Sequence, residues 1–131
     1  MRVNTKIRYG LRALIEIARA QKDGGIYQKD IADHQKLSFK YLDQIIATLK
    51  ASGLIRKNGR KGYILTRDCD LITIYDVYNA FEPDVEIVEC INPSANCEEK
   101  KNCKSRIFWT ELNTLIADKM KSVTIHDLIN Y

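Results

Sequence analysis

The sequence predicts a mainly α-helical fold with one small β-hairpin: a winged helix-turn-helix carrying a long C-terminal helix. Three observations predict it. Apolar stripes at helical spacing recur through the first fifty residues. A glycine-rich, basic turn between two short strand-like runs follows them. A second long amphipathic stretch, with its own start signals, closes the chain.

The elements follow in order. Ile7, Leu11, Leu14, Ile15 and Ala18 share one face of a helix over residues 5–20. Asp23-Gly24-Gly25 ends it. Ile31 and Ala32 mark a short second helix at 28–34, and a short turn at 35–37 leads to Ser38, a good N-cap for the third. Leu42, Ile45, Ile46 and Leu49 form the stripe of that helix, and Gly53 stops it. Leu54–Lys57 and Tyr63–Thr66 flank Asn58-Gly59-Arg60-Lys61-Gly62 as a hairpin. Thr73 and Asp76 have capping-box spacing and open a helix that buries Ile74, Val77, Tyr78 and Phe81 before Pro83 closes it. Residues 84–104 lack a helical period and read as a loop. Ser105 is expected to cap a long helix to about Ser122, striped by Phe108, Leu112, Leu115, Ile116 and Met120 with Trp109 beside it; Thr124 and Asp127 form a second capping box for a terminal turn through Ile129. Three units follow: 1–83, 84–104 and 105–131.

The 131 residues carry a net charge of +4, and the charge is divided unevenly along the chain. Residues 1–67 hold 15 Lys and Arg against 5 Asp and Glu, or +10, while residues 68–131 hold 6 against 12, or −6. A basic half joined to an acidic one points to a polyanion-binding module carrying something else; a basic half that only keeps the protein soluble is the alternative. No apolar run reaches membrane-spanning length, and the N-terminus leads into an amphipathic helix and not into a signal core. A cytoplasmic protein is expected, with no membrane partner. No Ser–His or Cys–His constellation and no phosphate-binding loop is apparent, so an enzyme is not expected.

In this helix order the third helix lies in the major groove of double-stranded DNA. Ser38, Lys40, Tyr41 and Gln44 near its start approach base edges; Gln44 suits adenine, and Asp43 can accept from a cytosine amine. Arg56, Lys57, Arg60 and Lys61 on the hairpin suit phosphates, and Arg60 at the tip suits a narrow minor groove. A protein-interaction module with a solvated basic hairpin is the rival reading.

Of four cysteines, Cys90, Cys97 and Cys103 lie in one segment, separated by six and five residues. Zinc sites usually contain pairs two to four residues apart, and no such pair occurs. Three widely spaced thiols can wrap an iron–sulfur cluster with a fourth ligand of another kind; three uncoordinated thiols, or a stress-induced disulfide, are the alternatives. Cys69 reads as a small, partly buried residue, and His34 and His126 as isolated surface or capping residues.

These residues, in this order, resemble the Rrf-type family of bacterial regulators, with its IscR, NsrR and CymR groups. The resemblance runs from Thr5–Leu14 through Ile31-Ala32, Ser38–Ile45, Leu49–Ile55, the shorter wing Gly59–Leu65, Ile72–Val77, the three cysteines and Trp109. It implies a DNA-binding transcription regulator acting as a homodimer on an inverted-repeat operator. Its long helix crosses that of its mate, with Phe108, Leu112, Leu115 and Ile116 as the seam. It also implies a 2Fe–2S or 4Fe–4S cluster on Cys90, Cys97 and Cys103 that senses iron–sulfur status, redox state or nitric oxide. The chain departs from the family at the fourth ligand. Arg106 stands where IscR-type members have histidine, and Arg8 where NsrR-type members have a carboxylate. Glu89, Glu98, Glu99 or a group from the partner subunit remain as candidates. A cluster-free regulator, or an interaction module controlled by a partner protein or thiol oxidation, is the alternative.

Overall fold

The computed structural model describes residues 2–93, 95, 97–98 and 102–131. Among the described residues, six helices and one hairpin follow in chain order: α1 (Thr5–Arg19), α2 (Gln28–Gln35), α3 (Phe39–Ala51), β1 (Ile55–Lys57), β2 (Tyr63–Leu65), α4 (Ile74–Phe81), α5 (Lys104–Ser122) and α6 (Ile125–Ile129). Short 3-10 turns at Gln21–Asp23, Cys69–Leu71 and Glu89–Ile91 were not expected from the sequence.

The start signals work as their chemistry requires. The side chains of Asn4 and Ser38 accept from the backbone of Ile7 and Tyr41, satisfying first-turn amides of α1 and α3. Both capping boxes close, Thr73 with Asp76 and Thr124 with Asp127. In the second, the bonds from Thr124 hold the Asp127 carboxyl below the usual carboxylate range. Ser105 does not cap α5. The helix begins one residue earlier, Cys103 occupies the cap position in extended backbone, and Ser105 falls inside the first turn.

The apolar stripes of α1, α2 and α3 meet in one core. Leu14, Ile17, Ile31, Leu42, Ile45 and Leu49 are fully buried there with Ile72 and Ile125. Ile125 belongs to α6, so the C-terminal turn returns to the first helices instead of trailing away. Backbone bonds from Ile125 N to Ile72 O and from Ile74 N to Val123 O, both 2.9 Å, fasten it. A second cluster of Ile7, Tyr78 and Val85 takes in Ile116, Ala117 and Met120 from α5. Gly10 lets α4 approach α1, since a Cβ there would stand 2.6 Å from the Phe81 ring.

The hairpin pairs Ile55 with Leu65, Arg56 with Ile64 and Lys57 with Tyr63. A third piece of backbone joins it, because Ile26, just before α2, forms an antiparallel bridge with Tyr63. The crossing is close at Gly62 (φ +94), where a Cβ would lie 2.3 Å from the Ile26 carbonyl oxygen. Both the positive φ and the contact exclude a side chain. Gly62→Ala is expected to destabilise the protein by about 2 kcal/mol or more, by strain and by loss of the bridge. Thermal unfolding checks this; a melting temperature equal to wild type counts against the close crossing.

Candidate nucleic-acid interface

Two polar networks hold α2, one to α3 and one to α1. Buried Gln28, at the start of α2, donates from Nε2 to Asp43 Oδ1 (3.1 Å) and to the Phe39 carbonyl (3.4 Å). At the other end of α2, Glu16 of α1 accepts from Gln35 Nε2 (2.6 Å) and lies 3.1 Å from His34 Nδ1. Arg12 donates to the Gln35 side chain (2.6 Å) and backbone carbonyl (3.2 Å), and its guanidinium covers the Tyr9 ring at 4.7 Å. His34 is therefore not isolated. The turn between the helices uses Lys36 in left-handed backbone (φ 55).

With α2 and α3 so held, Ser38, Lys40 and Gln44 are exposed along the start of α3. Ser38 Oγ is engaged as the helix cap, 3.1 Å from Tyr41 N. Tyr41 is half-buried and meets Tyr9 edge to face at 6.0 Å. Asp43 carries a structural bond as well as an exposed oxygen, because its carboxylate ties α3 to Gln28.

Arg56, Lys57, Arg60 and Lys61 are all exposed on the hairpin. Lys57 and Lys50 place their ammonium groups 5.9 and 5.8 Å from the buried Tyr63 ring, which brings charge from the wing and from α3 to one aromatic base. Tyr27 hydroxyl donates to the Arg60 carbonyl and steadies the turn. Asn58 Nδ2 reaches the Gly24 carbonyl at 2.8 Å.

The wing, the start of α3 and the start of α2 enclose an open groove of about 690 Å³, lined by Tyr27, Lys29, Phe39, Lys57, Arg60 and their neighbours. Tyr27, Lys29 and Phe39 were not among the residues expected from the sequence. The signal was present in Tyr27 and Lys29 beside the N-terminus of α2, but only the Ile26–Tyr63 bridge turns that end toward the wing.

The cysteine loop is closed at its ends. Arg106 Nε of α5 donates to the Cys90 carbonyl (3.2 Å), and Asn113 Oδ1 accepts from Ile87 N (3.0 Å). Cys90 and Cys103 are half-buried and Cys97 is exposed. Cys103 Sγ lies 3.1 Å from Ser105 Oγ. Three thiols on one closed loop fit an iron–sulfur cluster in donor type and chain order. They are not gathered, since among the described residues no three Cys, His, Asp or Glu side chains share a metal-sized site. Arg106, at the expected fourth position, is bound to backbone; Glu89 and Glu98 are exposed, and Glu99 lies outside the described residues. Cys69 Sγ sits 3.8 Å from His126 Nδ1, so these two residues are not isolated either.

The expected seam of α5 divides in two. Phe108 and Leu115 are 54 % and 66 % exposed, beside exposed Ile107. Leu112 is half-buried, and Ile116 packs into the second cluster of its own chain. No helix among the described residues is long and apolar enough to cross a membrane.

Comparison with known proteins agrees with this geometry. The profile of the Rrf2 family, described as iron-dependent transcriptional regulator, matches residues 3–131. The HTH-type transcriptional regulator IscR of Erwinia tasmaniensis is 27% identical over 99% of this chain and 79% of its own length. CymR of B. subtilis, described as the global cysteine regulator, superposes with a TM-score of 0.82 at 30% identity, covering 100% of this chain and 98% of that one. IscR of T. potens gives 0.78 at 26% identity over 99% and 87%. The helix order, the wing and the family match over nearly every residue agree, and the chain belongs to the Rrf2 family of transcriptional regulators.

Proposed function

We propose that this regulator binds an inverted-repeat operator as a homodimer in the cytoplasm, and that its cysteine loop is the sensor. The observation that carries the DNA reading is the groove in which Lys57 and Arg60 of the wing and Lys29 of α2 line one opening, with Lys50 of α3 near the Tyr63 ring that forms part of its wall. In each subunit Ser38, Lys40, Tyr41 and Gln44 face base edges, and Arg56, Lys57, Arg60 and Lys61 face phosphates. Residues 1–83 bind DNA, 84–104 sense and 105–131 carry the dimer helix, with α6 packed back into the first unit. No catalytic step is required.

The loop reading rests on the bond from Arg106 to the Cys90 carbonyl, which joins the sensor to the first turns of α5. Cys90, Cys97 and Cys103 would hold an iron–sulfur cluster. When bound, such a cluster supplies thiolate–iron bonds that oxygen, nitric oxide or iron shortage can break. The chain's own part is to keep the loop ends together and to carry any change in the loop into α5. Phe108 and Leu115, with half-buried Leu112, supply the apolar surface for a second copy, while Ile116 packs α5 onto its own chain. The likeness to a cysteine regulator favours a second reading, in which the thiols respond without a cluster.

Replacing Arg56, Lys57, Arg60 and Lys61 together by Ala removes eight cations from the dimer and is expected to remove operator affinity and to flatten its salt dependence by about seven units of log–log slope. Fluorescence anisotropy across a salt series measures both, and an unchanged slope contradicts the wing assignment. Cys97→Ala is expected to purify without iron or visible absorbance under anaerobic conditions while still folding. Iron equal to wild type refutes the ligand set, and iron-free wild-type protein that binds DNA leaves only the thiol reading. Leu115→Asp is expected to yield monomers by sedimentation with the fold intact, because its side chain lies outside the chain's own core. A dimeric variant displaces the seam.

A further inference from the structure

Phe39 is the first residue of α3, the helix expected to enter the major groove, yet its aromatic side chain is 55 % exposed. It is held in place. Its carbonyl accepts from Gln28 Nε2, and the same Gln28 amide binds Asp43, one helical turn further on. Phe39 and Asp43 therefore share a face of α3 that is braced from α2. An aromatic ring and a carboxylate cannot face phosphates: the carboxylate is repelled by them, and the ring offers no donor. Cations outnumber acids around this face instead, with Lys40 beside it on α3 and Lys29, Lys57 and Arg60, against Asp30, around the groove that Phe39 lines. With phosphates drawn to those cations, the Phe39–Asp43 face is left for base edges. In the major groove the one apolar group on a base edge is the C5 methyl of thymine.

Given the operator-binding reading above, we propose that Phe39 is a specificity-determining residue that reads thymine by apolar contact with its methyl group, once in each half-site. Tyr27, exposed on the far side of the groove, is committed through its hydroxyl to the Arg60 carbonyl and serves to place the wing. Lys40 and Gln44 supply the polar contacts on the adjoining face.

The test uses full-length protein and duplexes selected from a random pool by the wild-type chain. Each thymine in a selected site is then replaced by uracil, which removes the methyl and keeps the pairing. One replacement per half-site, two in the dimer's operator, is expected to weaken wild-type binding about fifteenfold, about fourfold for each methyl removed. Phe39→Ala is expected to bind more weakly and to be indifferent to that replacement. Phe39→Leu, which keeps an apolar side chain, is expected to retain the sensitivity and guards against a folding defect in the alanine variant. If no replacement affects wild type, or if Phe39→Ala retains the full sensitivity, the thymine assignment is overturned while the operator reading stands. If the wild-type chain enriches no duplex, both fall together.

Discussion

The wing keeps its place because two backbone groups of Ile26 bond with two of Tyr63, N to O at 3.1 Å and O to N at 2.7 Å. Ile55, Tyr63 and Leu65 seat the hairpin on the helical core, and the exchange adds a third piece of backbone to two strands of three residues each, a pairing that is marginal alone in water. With it, the hairpin becomes the edge of a small assembly that includes the start of α2. Gly62 allows the approach, and Asn58 adds a side-chain bond to the Gly24 carbonyl. Tyr63 is then both a bridge residue and the buried ring on which Lys50 and Lys57 rest. The positions of the cations in the groove therefore depend on one short stretch of backbone pairing.

Much of this architecture is legible in the residues themselves. Stripes such as Leu42–Ile45–Ile46–Leu49, and caps such as Ser38 and Thr73, encode helices locally, and the structure places those helices with only small shifts at their ends. The third piece of the wing is not legible, because Ile26 takes part as a single bridge residue with no alternating pattern around it. Gly24-Gly25 reads as a helix stop, which is correct but incomplete. The buried Gln28 is equally hidden: nothing in a polar residue opening a short helix says that it will reach across to Asp43.

The long helix illustrates a different limit. Its stripe is continuous in sequence, yet it serves two faces. Ile116 and Met120 turn inward to Tyr78 and Val85, while Phe108 and Leu115 turn outward. Periodicity finds apolar residues but does not say which surface each one covers. The cysteine spacing shows a similar gap. It names the donors, but only the structure reveals that Arg106 is engaged with the Cys90 backbone. The two histidines lie on the surface as expected but are not isolated, since their partners Glu16 and Cys69 are distant in the chain.

The fastening of α6 has a mechanical consequence. Because Val123 and Ile125 are tied to the 72–74 segment and Ile116 and Met120 pack on Tyr78 and Val85, the C-terminal half of α5 is a fixed pivot, and its first turns are an arm braced on the cysteine loop through Arg106 and Asn113. From Lys104 to Ile116 the helix makes an arm roughly 18 Å long, so a swing of about ten degrees carries its tip roughly 3 Å. The bond between Arg106 and Cys90 lies near that tip, where a small rearrangement has the greatest leverage.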